Sequence, residues 1–398
     1  MQKLYYYDSY TKDFTANVVD IRKINGYYEV ILDKTYFYPE SGGQTADHGT
    51  IDGLKVENVI LRDDDVIHIL KECPHNKTVS CLIDWNRRFD NMQQHTGQHL
   101  LSAVFNKLYD AETESFNIGD MFSHITILND KLSEKDIEKV EEETNKIIYL
   151  NLPVITYFVD NEKLNELPLR KEPKISNNIR IVEIKEFDYS PCGGTHVKNL
   201  GEIGIIKIRK WEKVKDGIRV EFVCGLRAVK DFINKNNYIN RLTNILSIQE
   251  SGVINSVNKL TLENKELKKE LNKLKDNILS YEAEKLLDKS INLNKYRLIV
   301  KTYENRKIKE LRTLSQIIAK GRGMIAILSN VSENVDIIIS RSDDVNININ
   351  SFFKEILDVI DGKGGGSPKS CQGSGKLKEN LNIAIDKAVN MISKESMK

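Results

Sequence analysis

The sequence predicts a multidomain α+β protein: a small N-terminal β-barrel, an α+β unit, a long helix and a small C-terminal α/β domain. Three observations predict it. Short β-branched and aromatic runs, punctuated by turn residues, fill the first 85 or so positions. Helical spacing of apolar residues then sets in at Phe89 and alternates with strands up to Leu226. A heptad pattern follows, and behind it strands alternate with amphipathic helices. The boundaries read from these changes are 1–86, 87–228, 229–292 and 293–398. A length of 398 residues is enough for several domains with their own cores.

The strands of the first part are YYEVIL, TYFY, KVENVIL, VIHIL and TVSCLIDW, separated by Asn25-Gly26, PESGG and Asp52-Gly53. From Phe89, FDNMQQHTGQHLLSAVFNKLYD carries Met92, Leu100, Val104 and Leu108 at helical spacing. MFSHITIL is a strand, and LSEKDIEKVEEETNKIIYLN is a charged helix with Leu132, Ile137, Val140 and Ile147 on one side. Strands PVITYFV, IRIVEI and GIIKIRKWEKV complete the α+β unit. In the long helix Val257, Asn264, Leu271 and Ile278 occupy heptad position a, and Leu260, Leu267, Leu274 and Tyr281 occupy d. This predicts either a two-stranded coiled coil, making a homodimer, or one long helix packed on its own domain. The last domain has strands RLIV, MIAIL and VDIII, helices KELRTLSQIIAK, SFFKEILDVI and ENLNIAIDKAVNMI, and a glycine-rich loop DGKGGGSPKSCQGSG.

Lys and Arg number 59 against 58 Asp and Glu, a net charge of +1, and 40% of residues are hydrophobic. This is a globular composition, and it excludes a protein held on nucleic acid by bulk charge. No run approaches the roughly 18 apolar residues of a membrane span, and the N-terminus has no signal-peptide pattern, so the expected location is the cytoplasm. Cys73, Cys81, Cys192, Cys224 and Cys371 are odd in number and widely spaced, which is no disulfide framework. The question becomes which of them binds a metal.

His95 and His99 lie four apart within the helix and project from one face. Cys192 and His196 are also four apart, in SPCGGTHVKN, where Gly193 and Gly194 make a tight loop. Thiolate and imidazole are ligands that zinc prefers, so the four residues form a Cys–His₃ set for Zn²⁺. Four protein ligands are usual in a structural site. Favouring chemistry are the lack of a CxxC knuckle, the two glycines whose N–H groups can approach a substrate oxygen, and polar Thr96 and Gln98 beside the ligands.

Four segments then resemble, in order, the editing half of alanyl-tRNA synthetase and its free-standing AlaX relatives. YFYPESGGQTADHG resembles the glycine-rich signature of their barrel, and DWNRRFDNMQQHTGQHLLSAVF their HxxxH helix. CGGTHVKNLGEIGIIKIRK with GIRVEFVCG is similar to their CxxxH segment and strand pair, and DGKGGGSPKSCQGSG to the glycine-rich loop of their C-terminal DHH-associated domain. The chain starts directly at the barrel and so resembles the long AlaX form, for which no ATP-dependent aminoacylation is expected. The resemblance implies zinc-dependent hydrolysis of Ser-tRNA(Ala), and also of Gly-tRNA(Ala), with Ala-tRNA(Ala) spared. It places Gly42, Gly43 and Gln44 beside the pocket, with Thr96, Gln98, Gly193, Gly194, Ser115 and Asn117 as candidate contacts. At Ser115 and Asn117 the synthetases' usual Gln-Lys-Gly-Ser run is absent. Lys363, Gly364, Gly365, Gly366, Ser367, Gln372 and Gly373 are implied to contact tRNA. The competing reading is a non-catalytic protein that holds tRNA or a synthetase and uses zinc structurally. GSGKL is no phosphate-binding P-loop, since Leu377 stands where the Mg²⁺-binding hydroxyl belongs.

Overall fold

A computed structural model describes residues 1–172 and 178–397. The chain divides into two compact units, Met1–Ile245 and Leu246–Lys398.

In the first unit, β1 (Asp13–Ile24), β2 (Tyr27–Leu32), β3 (Gly49–Ile51), β4 (Leu54–Arg62), β5 (Asp65–Leu70) and β6 (Thr78–Ile83) close into a barrel in the order β1-β2-β5-β4-β3-β6. Alternation decides which side chains fill it: β6 sends Val79, Cys81 and Ile83 into the core and Thr78, Ser80 and Leu82 outward. The long strand β1 has no counterpart in the sequence reading, because Asp20, Arg22 and Lys23 interrupt its apolar residues and dilute the signal. TYFY is not a strand beyond Thr35. Phe37 and Tyr38 are buried, but the Tyr38 N–H donates to the Asp47 carboxylate (2.6 Å) instead of to a neighbouring strand.

Helix α1 (Trp85–Tyr109) starts four residues before the expected Phe89, since the Asp84 carboxylate accepts from Arg87 N–H and caps it. Behind it come β7 (Thr113–Ile118), β8 (Ser123–Ile127), α2 (Glu134–Tyr149), β9 (Val154–Val159), β10 (Ile179–Ile184), β11 (Asp188–Pro191), β12 (Ile206–Val214), β13 (Gly217–Cys224) and α3 (Gly225–Leu246). The sheets are β12-β13-β8-β7 and β9-β10-β11. Leu100, Val104 and Phe105 of α1 and Ile137 and Val140 of α2 join Ile125, Val220, Phe222 and Val182 from both sheets in one core. The middle of α1 is therefore buried all round, polar residues included.

The second unit contains α4 (Val253–Asp288), β14 (Ile291–Leu293), β15 (Tyr296–Glu304), α5 (Ile308–Ile318), β16 (Met324–Val331), β17 (Val335–Arg341), α6 (Asn350–Val359), β18 (Gly362–Ser367), β19 (Ser370–Gly375) and α7 (Leu381–Met397). One sheet runs β14-β15-β16-β17-β19-β18. Strand β16 shows why it has helices on both faces: Ile325 and Ile327 pack with α6 and α7, whereas Met324, Ala326 and Leu328 pack with α5 and the last turns of α4. The expected glycine-rich loop is instead the hairpin β18–β19, with β18 at the sheet edge. On α4 only Val253, Leu279 and Ala283 are buried, so the heptad residues Leu260 to Leu274 face outward. Among the described residues no helix is long and apolar enough to cross a membrane.

Candidate metal centre

The site is built on the buried middle of α1. Gln93 Nε2 donates to the Glu202 carbonyl (2.7 Å). Gln94 exchanges two hydrogen bonds with the backbone of Cys224, at 3.0 and 2.8 Å. Gly97 lies so close to β13 that an added Cβ would sit 2.3 Å from Cys224 Sγ. These contacts fix the rotation of α1, and with it the direction of His95 and His99. At its N-terminal end the fully buried Arg88 pairs with the fully buried Asp47, Nε to Oδ1 at 3.0 Å, and also donates to the Ser9 carbonyl at 2.8 Å. That pair locks the helix to the segment holding Gly42, Gly43 and Gln44.

His95, His99, Cys192 and His196 come together with ligand atoms all within 4.8 Å of one another. His95 Nε2 and His196 Nε2 each lie 3.4 Å from Cys192 Sγ. Burial drives the pKa of His95 and His196 well below the ordinary value and that of His99 down to about 3, so all three imidazoles are neutral with a free lone pair. Burial also pushes the Cys192 thiol up, opposed by the Gly194 N–H and the Arg180 charge. Among the described residues His99 Nδ1 is buried with no hydrogen-bond partner. An orphaned imidazole nitrogen inside a Cys–His₃ cluster is what a metal ligand looks like without its ion, and the donor set suits zinc.

The partner of His95 fixes its tautomer. Gln44 Oε1 accepts from Thr195 N–H (3.1 Å), so it is an acceptor toward His95 Nδ1 (2.8 Å) as well. His95 therefore carries its proton on Nδ1 and keeps Nε2 free. Gln44 Nε2 donates to Thr195 Oγ1 (2.9 Å), which joins the glycine turn to the cysteine loop. Thr96 Oγ1 lies 3.2 Å from His196 Nδ1 and also accepts from Val197 N–H. Gly194 passes so near His95 that a Cβ would stand 2.2 Å from Cε1.

The remaining expected contacts divide. Gly42 and Gly43 form the turn beside the centre, with the Gly43 carbonyl accepting from Ile118 N–H at 2.8 Å. Gly193 is exposed next to Cys192. Gln98 is buried beside His99, its Nε2 donating to Ser102 Oγ and its Oε1 without a partner. Thr96 is occupied with His196 rather than open to a substrate. Ser115 and Asn117 are not brought to the cluster: both are exposed, and the β7 residue between them, Phe116, packs its ring 5.4 Å from that of His95. Phe116 was invisible to sequence reasoning because one aromatic in a short strand carries no signal of its face.

Arg180 was also missed. Its Nη1 donates to the carbonyls of Cys192 (2.8 Å) and Gly194 (2.9 Å), and its Nε to that of Tyr6 (3.0 Å). In the second unit Lys363, Gly364, Gly365, Gly366 and Ser367 lie on β18. Gln372 and Gly373 lie on β19, with Gln372 accepting from Arg312 Nε at 2.9 Å.

Comparison with known proteins finds related families and relatives. Residues 8–87 match the family described as tRNA synthetases class II (A), residues 179–220 the threonyl and alanyl tRNA synthetase second additional domain, and residues 295–394 the DHHA1 domain. The chain is 35% identical to the alanyl-tRNA editing protein AlaX-L of Pyrococcus horikoshii over 97% of its own length and 98% of that protein's. It is 30% identical to the alanine–tRNA ligase of Methanobrevibacter smithii, covering 98% of this chain but 45% of the ligase. Among solved structures, the C-Ala domain of Aquifex aeolicus alanyl-tRNA synthetase covers 26% of the chain at 20% identity and a TM-score of 0.25.

Proposed function

The chain belongs to the AlaX family of alanyl-tRNA editing proteins, and from that premise we propose that it is a zinc-dependent aminoacyl-tRNA deacylase acting in trans on tRNA(Ala) mischarged with serine or glycine. The observation that carries the chemical part is the His95, His99, Cys192 and His196 cluster, with the His95 tautomer set by Gln44 and the His196 ring held by Thr96. Zinc, when bound, would supply a Lewis acid beside the aminoacyl ester and lower the pKa of a bound water. The protein's own part is to hold Nε2 of His95 and His196 toward Cys192 and to leave exposed Gly193 as side-chain-free backbone that a terminal adenosine can approach closely.

The need for such an enzyme follows from size. A pocket that activates alanine cannot exclude glycine, and it discriminates against a compact added hydroxyl by only about 1–3 kcal/mol. A second site supplies the missing selectivity when it hydrogen-bonds the serine hydroxyl and leaves a polar group unpaired with alanine. Gln98 Oε1, buried beside His99 without a donor, is the acceptor that suits this role.

Hairpin β18–β19 is the proposed tRNA contact, since β18 is an edge strand with Lys363, Gly364, Gly366 and Ser367 exposed and little side chain in the way. The outward heptad of α4 is the proposed homodimer seam. Glu263 and Glu270 at g would meet the partner's Lys268 and Lys275 at e in a parallel pairing, and Asn264 at a fixes the register. The proposed location is the cytoplasm.

One observation favours the rival reading of a tRNA-binding protein with a structural metal: four protein ligands close a zinc site. Incubating purified protein with Ser-tRNA(Ala), Gly-tRNA(Ala) and Ala-tRNA(Ala) and following release of the amino acid decides between them. Deacylase activity should appear for serine or glycine, stay at background for alanine, and vanish together with zinc in Cys192→Ala. Zinc-loaded protein that releases none of the three supports the binding protein.

A further inference from the structure

Arg180 is nearly as buried as Arg88, at 6% exposure against 0%, yet it differs in one respect. Arg88 meets the carboxylate of Asp47, whereas among the described residues all three hydrogen bonds of Arg180 end on main-chain carbonyls. Burying a guanidinium without a carboxylate is costly, so those carbonyls must matter. Two of them, Cys192 and Gly194, bracket the exposed Gly193 in the loop that carries half of the ligand cluster.

A peptide unit is planar and trans, so drawing its carbonyl one way turns its N–H the other. The peptide between Gly194 and Thr195 is held at both ends: its carbonyl accepts from Arg180 Nη1, and its N–H donates to Gln44 Oε1 at 3.1 Å. Gln44 Oε1 is the atom that also accepts from His95 Nδ1. Arg180 thus acts on two ligands through one peptide. It sets the turn that aims Cys192, and through Gln44 it supports the orientation of His95. The face of the guanidinium lies near the ring of Tyr6, 5.7 Å from guanidinium carbon to centroid, and its Nε fixes the Tyr6 carbonyl. The N-terminal segment therefore closes over the outside of the clamp.

We propose that Arg180 is a positioning residue of the metal centre: it preorganises the Cys192–Gly194 loop for the ion by holding the two carbonyls, and sets metal affinity without touching metal or substrate. This rests on the metal reading above. Losing an outer partner of a metal ligand costs roughly 10- to 100-fold in affinity. Arg180→Met, of similar length but with no donors, should show that loss. Arg180→Lys, one bond shorter than the reach of Nη1 and with no second nitrogen for the Tyr6 carbonyl, should fall between it and the wild type.

The experiment titrates zinc into the metal-free full chain against a competing chelator, and records the thiolate-to-metal charge-transfer band of the cobalt(II) form as a readout of Cys192 coordination. Weaker zinc binding and an altered cobalt band in a folded Arg180→Met protein, partly restored in Arg180→Lys, are the expected results. A folded Arg180→Met protein with wild-type zinc affinity and an unchanged band overturns the inference. If Arg180→Met does not fold, Arg180→Lys decides alone: unchanged affinity and spectrum overturn it. A wild-type chain that takes up no zinc sinks the metal reading itself, which is a different failure.

Discussion

Gly194→Ala should disable the metal centre, while Gly193→Ala one residue away should leave zinc affinity intact. The added methyl at 194 would lie 2.2 Å from Cε1 and 2.3 Å from Nδ1 of His95, and 2.9 Å from Gln44 Oε1. Carbon atoms in contact sit about 3.5–4.0 Å apart, so the imidazole or the loop must withdraw by about 1 Å or more. His95 has nowhere to go, with Phe116 against its ring and Gln44 on Nδ1. If the loop moves instead, it takes Cys192 and His196 with it. Metal sites tolerate displacements of about 0.2 Å in a ligand, so either movement removes one ligand of the four. Zinc affinity should therefore drop by at least about 100-fold, the upper end for disturbing a ligand's surroundings, which is about 2.7 kcal/mol. Overpacking adds roughly 1–3 kcal/mol of lost stability. At Gly193 the nearest atoms to a new Cβ are Tyr6 Cε1 at 3.5 Å and Tyr6 Oη at 3.7 Å, which is ordinary contact on an exposed residue. Chelator competition measures zinc affinity, and release of serine from Ser-tRNA(Ala) measures activity. Wild-type zinc affinity in Gly194→Ala, or an equal loss of zinc affinity in Gly193→Ala, would refute the steric argument.

Thr96→Val deprives both Val197 N–H and His196 Nδ1 of their partner. It should cost about 1–3 kcal/mol per stranded group and roughly tenfold in zinc affinity, and lost stability with intact zinc binding would show that Thr96 does not aim His196. Arg88→Met strands the buried Asp47 carboxylate and should lower unfolding stability in urea by about 3–5 kcal/mol; a change below about 1 kcal/mol would mean the pair is not what joins helix and barrel. Replacing Leu267 and Leu274 of α4 with Glu should turn a dimer into a monomer in sedimentation, and a wild type already monomeric at micromolar concentration would remove the seam reading without touching the deacylase one.

The ligands were legible because spacing carries geometry. Two histidines four apart share a helix face, and Cys192-Gly-Gly-Thr-His196 bends on itself, so local pattern alone pointed to four side chains that the fold brings together. Their supports were not legible. Gln44, Thr96 and Arg180 act across 51, 100 and 12 or 14 positions of sequence, and nothing local distinguishes them from ordinary polar residues. Thr96 shows the limit well: a threonine beside two ligands reads as a pocket contact, and only the fold reveals that its hydroxyl is taken by His196. Ser115 and Asn117, exposed and away from the cluster, show a related limit, since a strand's alternation says which residues share a face but not which face meets the helix. The glycine-rich stretch at 362–375 looked like a loop because glycine is a poor strand former, and pairing with β17 overrides that preference.

The bond between Arg88 and Asp47 bears on how the chain can be cut and recombined. The barrel looks like a cassette, closed on itself by residue 83, and a junction there is the obvious place to swap it between relatives. Such a chimaera would inherit an anion sealed from water whose paired cation, Arg88, belongs to the other parent's helix, along with a Gln44 shaped to a different histidine. Parents that differ in how they meet these needs should give insoluble hybrids even when each half folds well at home. Crossovers that respect the wiring lie outside 13–196, so barrel, ligand helix and cysteine loop are inherited as one block whatever their separate appearance in the sequence.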